Sequence, residues 1–275
     1  MKAFGAAWRS IDTSPPDPDM LIEEAVGRVA PVNINVASGK LGREQIFIEN
    51  LRRQVYEQYK PAFDEVSQVM EQEKLRRPEL AELGLAHETN RFLNWVRLVK
   101  AQGEEAWRDA PARSQSDRRS LILELGLEWR TVSDHRIPAD YQERLTTLRS
   151  SLADEPTILN ATADQLAQAL ISLHAFSEQL RFVRGGLPAL SPAFWNENNN
   201  DVSRVSRSLA YFLYGSGDFV QRLHDLLYDG RWKLNLFGLF CALELFGSIH
   251  PDDYPPMNGR MAKSLRYLGF EVKAN

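Results

Sequence analysis

Apolar side chains recur every three or four residues along most of this chain, and proline and glycine cut that pattern into short blocks. From Arg43 onward, Ile46, Leu51, Val55 and Tyr59 fall on one helical face until Pro61 interrupts them. Phe63, Val66, Val69 and Met70 form the next block, which runs to Arg77-Pro78, and Phe92, Trp95, Val96 and Val99 form another. This period stacks side chains on one side of a helix and scatters them on both faces of a strand. The blocks predict an all-α fold, a multi-helix arrangement of about eight to ten helices.

Local signals place the helix ends. Ser116 is expected to cap a helix through Leu121, Leu125 and Trp129, and Pro138 suits the first turn of one carrying Tyr141, Leu145 and Leu148. Thr162-Ala-Asp-Gln165 fits a capping box and opens a helix through Leu166, Leu170, Leu173 and Phe176, ending near Gly185-Gly186. Residues 187–200 read as a loop containing the Asn-rich run to Asn200. Val205, Leu209, Phe212 and Leu213 form a helix stopped at Gly215-Ser-Gly217, and Phe219, Leu223 and Leu226 one stopped at Asp229-Gly230. The first forty residues are irregular: Ser14-Pro-Pro-Asp-Pro18 blocks helix, Met20 to Val29 suits a short helix, Pro31 to Val36 alternates weakly like a strand, and Ser38 to Gly42 reads as a turn. The expected organisation is an N-terminal helical region over residues 1–115 and a helical domain over 116–275, or one continuous domain.

Composition narrows the partners. The 275 residues are 43% apolar with a formal net charge of −4, so any nucleic-acid contact has to come from a local basic patch. The single cysteine, Cys241, leaves no disulfide framework and no cysteine-based metal site; no metal and no cofactor are expected. No run reaches eighteen apolar residues, and Met1-Lys-Ala-Phe4 opens no long apolar stretch, so the expectation is a cytoplasmic protein without membrane contact.

The last fifth of the chain holds the densest pattern: Lys233-Leu-Asn-Leu-Phe-Gly238-Leu-Phe-Cys-Ala242, then Tyr254-Pro-Pro-Met-Asn258-Gly-Arg260-Met, then Leu268-Gly269. Two helical patterns flank a Phe-Gly turn. Asn258 falls twenty residues after Gly238, and Gly269 eleven after Asn258. Over about 45 residues, Tyr228 to Val272, this layout resembles the helix-hairpin-helix DNA glycosylase superfamily. The resemblance implies a hairpin whose turn N–H groups and positive helix end hold a DNA phosphate. The family's Gly-hydrophobic-Gly turn reads Leu236-Phe237-Gly238 here. Its lysine nucleophile, two residues after the turn glycine, is Phe240, and its essential aspartate is Asn258. A phenyl ring cannot attack a sugar carbon, and an amide neither carries the charge nor takes the proton of a carboxylate. Asn258 can still cap a helix from Gly259 to Leu268. The family's optional iron–sulfur cluster is excluded by the single cysteine. The implied site therefore has no catalytic residue and a DNA-binding set of Arg231, Lys233, Gly238, Asn258, Arg260 and Lys263. Pro251 to Arg260 has a Pro-x-x-Tyr-Pro-x-x-Asn-x-Arg style that is similar to C-terminal modules of bacterial proteins linked to restriction and phage defence, which implies one subunit of an antiviral assembly with double-stranded DNA and a protein as partners.

Other candidates have a chemical and a structural reading each. Asp252 or Asp253 would serve as a displaced catalytic carboxylate, or simply shape a proline-rich turn. His174, Glu178 and Arg181 sit at i, i+4 and i+7, a polar cluster at a cleft or a helix flank with a Glu178–Arg181 ion pair. Phe194-Trp195 would stack a base, or anchor its loop to the core. His87-Glu-Thr-Asn90 lacks the second histidine of a zinc helix, Gly39-Lys40 lacks the rest of a P-loop, and no Gly-x-Ser-x-Gly elbow occurs. The leading expectation is a non-catalytic nucleic-acid-binding or sensing module. The alternatives are a base-excision glycosylase with a displaced carboxylate and a protein-interaction scaffold.

Overall fold

A computed structural model describes residues 39–132 and 140–274. The expectations for residues 1–38 and for Pro138 lie outside the described residues. The chain divides into two compact units, Met1–Glu49 and Asn50–Asn275. The described part of the first is residues 39–49, the start of helix α1 (Gly39–Arg52). Helix thus begins where a turn was expected over Ser38 to Gly42. Glycine in a helix costs about 1 kcal/mol against alanine, too little to stop one that continues.

The second unit is all-helical. Fourteen α-helices and no strand occur among the described residues, more helices than the blocks suggested because caps split several of them. After α1 a π-helical stretch, Arg53–Tyr59, passes into α2 (Lys60–Gln72) without leaving helical geometry, with φ −69° and ψ −53° at Tyr59. Pro61 therefore does not break the helix as expected. It occupies the first turn of α2, where its missing N–H matters least, and the wider π turn, with Lys60 N–H on the Val55 carbonyl, absorbs the strain.

A 3₁₀ turn (Pro78–Leu83) leads to α3 (Leu85–Trp95) and a second π stretch (Val96–Lys100). Short α4 (Glu105–Arg108) and long α5 (Gln115–Thr131) follow. The cap of α5 is Ser114 rather than Ser116; its hydroxyl accepts the Asp117 N–H at 3.2 Å. Next come α6 (Tyr141–Ser151), α7 (Glu155–Asn160) and α8 (Ala163–Ile171). The capping box of α8 forms as expected, Thr162 and Gln165 each satisfying the other's backbone N–H. The helix then stops at Ser172 instead of running to Gly185, because Leu173 is extended (ψ 132°). A new turn starts as α9 (His174–Ser177), followed by a 3₁₀ turn over Glu178–Phe182.

The segment expected as a loop after Gly186 is mostly helix, α10 (Leu187–Glu197). Pro188 suits its first turn, and buried Leu190, Phe194 and Trp195 hold it down despite Pro192 inside it. Phe194 and Trp195 thus anchor to the core and present no free ring: Phe194 is packed edge-on against Phe176 at 5.4 Å. Helices α11 (Val202–Tyr214) and α12 (Phe219–Tyr228) match their expected blocks, each capped by an aspartate, Asp201 and Asp218. The last two helices are α13 (Leu239–Ile249) and α14 (Gly259–Tyr267). None of the helices is long and apolar enough to cross a membrane, among the described residues.

Three aromatic nests form the core. Phe92, Trp95 and Trp129 join α3 to α5. Phe212, Phe219, Phe246 and Tyr254 join α11, α12, α13 and the loop after α13. Phe176, Phe194 and Phe237 join α9, α10 and the turn before α13. The loop between α13 and α14 lies directly on α13: a Cβ on Gly247 would stand 2.3 Å from Pro255 and Pro256 backbone atoms. Asn90 on α3 donates to the Pro256 carbonyl at 2.7 Å, and Ser264 on α14 to the Leu93 carbonyl at 2.6 Å. These ties set where Asn258 stands.

Candidate nucleic-acid interface

The turn between α12 and α13 is built by hydrogen bonds. The Asp229 carbonyl accepts from Trp232 and Lys233 N–H at 2.8 and 2.7 Å, and its carboxylate from Arg231 N–H at 2.9 Å. Asn198 then grips Asn235 at both its N–H (3.0 Å) and its carbonyl (3.1 Å). Leu236 takes φ +56°, the left-handed region that strains any residue but glycine. The turn forms despite the missing first glycine, and buried Phe237, 6.1 Å from Phe176, holds it in place. Gly238 ends the turn as the exposed N-cap of α13, with no side-chain cap and nothing within 4 Å of where a Cβ would be. Phe237 and Gly238 therefore sit at a bend, outside helix.

Asn258 caps α14, its side-chain oxygen accepting the Arg260 and Met261 N–H groups at 3.0 and 3.2 Å. Its amide nitrogen donates to Glu244 Oε1 at 3.0 Å. The residue is 2% exposed, so in this structure it holds the fold together and does not face solvent. Glu244, on α13, also accepts the Ala175 N–H on Oε2 at 2.6 Å. Burial pushes its carboxyl above the usual range, although His174, Ala175 and Asn258 pull the other way. Cys241, one turn earlier, is buried with its thiol pushed up to about 12, by burial first and then by the Glu244 charge, so it supplies no nucleophile. Phe240 lies against Tyr59, ring centroids 6.0 Å apart.

Next to this buried pair is a partly exposed charged cluster. Glu178 accepts from His174 Nε2 at 2.9 Å and pairs with Arg260 Nε at 3.5 Å. Burial raises the Glu178 carboxyl, but the His174 hydrogen bond and the charges of His174, Arg260 and Arg181 outweigh it and leave it below the carboxylate range. Its partners are thus His174, by hydrogen bond, and Arg260, by ion pair, where Arg181 alone was expected; the Arg181 guanidinium sits 4.8 Å over the Phe182 ring. Arg260 also donates to Asn94 Oδ1 at 3.2 Å. Burial lowers its pKa, Glu178 and Glu244 oppose that, and Arg97 adds to it. Lys263, one turn along α14, sits 5.0 Å over the Trp107 ring. Its ammonium is lowered by burial, then by Arg97 and by Arg181, against the pull of Glu178 and Glu104. Cations from three segments therefore act on one another here: Arg97 on both Arg260 and Lys263, and Arg181 on Lys263.

Of the residues expected to bind DNA, the structure brings Arg260 and Lys263 together and places Gly238 at an open helix start. Arg231 and Lys233 lie on the turn, with Arg231 5.0 Å over Trp232, which stacks on Tyr211 at 4.2 Å. Asp252 and Asp253 are exposed on the turn after His250, and the carboxylate beside Asn258 is Glu244. Sequence reasoning passed over Glu244 and Arg97. Glu244 sits in an otherwise apolar helix (Leu239–Ile249), and a lone acid on such a face was the available signal. Arg97 had none, since its neighbours on the cluster come from distant segments. No protein-family model, curated protein or solved structure matches this chain.

Proposed function

We propose that this chain is a non-catalytic nucleic-acid-binding module, its chemistry left to another component of the assembly it serves. The observation that carries this reading is the gathering of cations from separate segments at the start of α14, where Arg260 and Lys263 share the helix and both feel the charge of Arg97, with Arg181 also acting on Lys263. Cations that repel one another gain when an anion arrives, and a phosphodiester chain supplies several. On a protein of net charge −4 such a face is a local feature. The exposed start of α13 at Gly238, which has no side-chain cap, adds a positive helix end, and Leu236 strained into the left-handed region at the position of the family's first glycine supports the hairpin reading. Phe240 and buried Asn258 at the reactive positions support the absence of chemistry. A titration with duplex DNA at low and moderate salt tests the reading: affinity should fall steeply with salt, and absence of binding at low salt ends it.

One observation favours a second reading, hydrolysis of an N-glycosidic bond. Glu178 and Glu244 flank Asn258-Gly259 with their carboxyls displaced in opposite directions, the pattern of a base and an acid. Release of free base from damaged duplexes, abolished by Glu178→Gln, would select it over the first.

A further inference from the structure

We propose that the cationic face takes unpaired nucleic acid in preference to duplex, with one base stacked on the ring of Phe182. This rests on the nucleic-acid reading above and names the form of its ligand. Among the described residues four large apolar side chains are exposed, and Phe182 is the aromatic one, at 66%. The ring ends the 3₁₀ turn Glu178–Phe182, directly after Arg181. The Arg181 guanidinium lies 4.8 Å from the ring centroid, and about two thirds of the residue stays exposed, so ring surface remains for a stacking partner. Arg181 also belongs to the cation cluster, because its charge is felt by both Glu178 and Lys263. An aromatic platform and phosphate-attracting cations are therefore adjacent in one segment.

The next residues extend the same surface. Arg184 is exposed, two residues after the ring, and the exposed Gly185 and Gly186 that follow it carry no side chain. Every base has a π-face, and in a single strand that face is free. In a duplex it is covered by its neighbours, and reaching it requires unstacking. A platform that protrudes on a turn, beside cations that track a backbone, thus fits a single strand and fits a duplex poorly. Charge sets the occupant: an apolar protein surface would satisfy the ring but bring no anion to Arg97, Arg181 and Lys263, which stand beside the one Glu178–Arg260 ion pair.

The test is fluorescence anisotropy at low salt with a labelled oligothymidine strand and with the same strand paired to its complement. The proteins are the full chain, Phe182→Ala and Phe182→Trp; the ring's contact is with its neighbour Arg181, so both variants keep the core. The expected result is tighter binding of the single strand, a roughly 5- to 100-fold loss for Phe182→Ala on that probe, little change on the duplex, and retention by Phe182→Trp. Equal or tighter duplex binding, with Phe182→Ala harmless on both probes, overturns this inference and leaves the nucleic-acid reading standing. Binding of neither probe overturns both.

Discussion

The side-chain amide of Asn258 donates to Glu244 across 3.0 Å of buried space while its oxygen caps α14. One residue therefore satisfies a helix end and a carboxyl that burial has pushed up. Asn258→Asp, which restores the carboxylate of the glycosylase pattern, would keep the cap and set two acids against each other. The pair would have to share a proton, with a folded-state pKa above the unfolded value, so the penalty is absent at low pH and grows as pH rises past about 4. The variant should be roughly 1–3 kcal/mol less stable than the parent at pH 7, the usual cost of a buried polar group left without its hydrogen-bond donor, and nearly equal to it at pH 4. Urea unfolding at the two pH values measures this; an equal gap at both would show that the acids do not interact.

Glu244 itself predicts a pH slope. Its carboxyl is raised in the folded state, so its contribution is fully present below the ordinary carboxylate value and is lost as pH rises through the folded one. The parent should lose stability relative to Glu244→Gln across that interval. Denaturation midpoints of the two proteins from pH 4 to 8 give the difference, and a pH-independent difference contradicts the assignment.

His87 shows the opposite sign. Its ring accepts from Arg149 on Nε2 at 2.9 Å and meets the Tyr141 hydroxyl on Nδ1 at 3.0 Å, which places the proton on Nδ1. Burial, and then the Arg149 charge, lower its pKa to about 3. A depressed histidine contributes stability above its unfolded value near 6.5 and loses it as pH falls toward 3. Imidazole NMR signals should stay those of the neutral Nδ1–H form down to about pH 4. A titration midpoint near 6.5 would mean the ring is not enclosed.

Two glycines should respond differently to alanine. Gly247→Ala drives a methyl into Pro255 and Pro256 backbone at 2.3 Å, where no side chain can yield, and should cost about 3 kcal/mol or more. Gly238→Ala meets open space and loses only an N-cap preference, about 0.5–1 kcal/mol. Thermal unfolding ranks them, and comparable losses would place the Pro255-Pro256 loop off α13.

Glu178 is the acid among the crowded cations, so removing its charge should strengthen anion binding. Glu178→Gln is expected to tighten single-stranded DNA several-fold, and Arg97→Ala with Lys263→Ala to weaken it and flatten the log–log salt slope by roughly 1.5. Anisotropy titrations over a salt series read both. An unchanged slope removes Arg97 and Lys263 from the interface.

What could be read along the chain was local. Helical period, the Thr162–Gln165 box, the Gly215 and Asp229 stops and the capping role of Asn258 depend on hydrogen bonds and steric limits within a few residues, and the structure has them where the sequence put them. The misplaced breaks at Pro61 and after Gly186 arose where packing of Phe63 or Phe194 outweighed a proline's local cost.

Tertiary structure alone decided which charges meet. Arg97 follows α3, Arg181 ends a 3₁₀ turn, and Arg260 and Lys263 lie on α14; their approach depends on α14 packing against α3 and α4 and on Glu244 joining α13 to α9. Electrostatic and burial effects act through space between segments more than a hundred residues apart for Arg97 and Arg260, and no spacing rule along the chain encodes that distance.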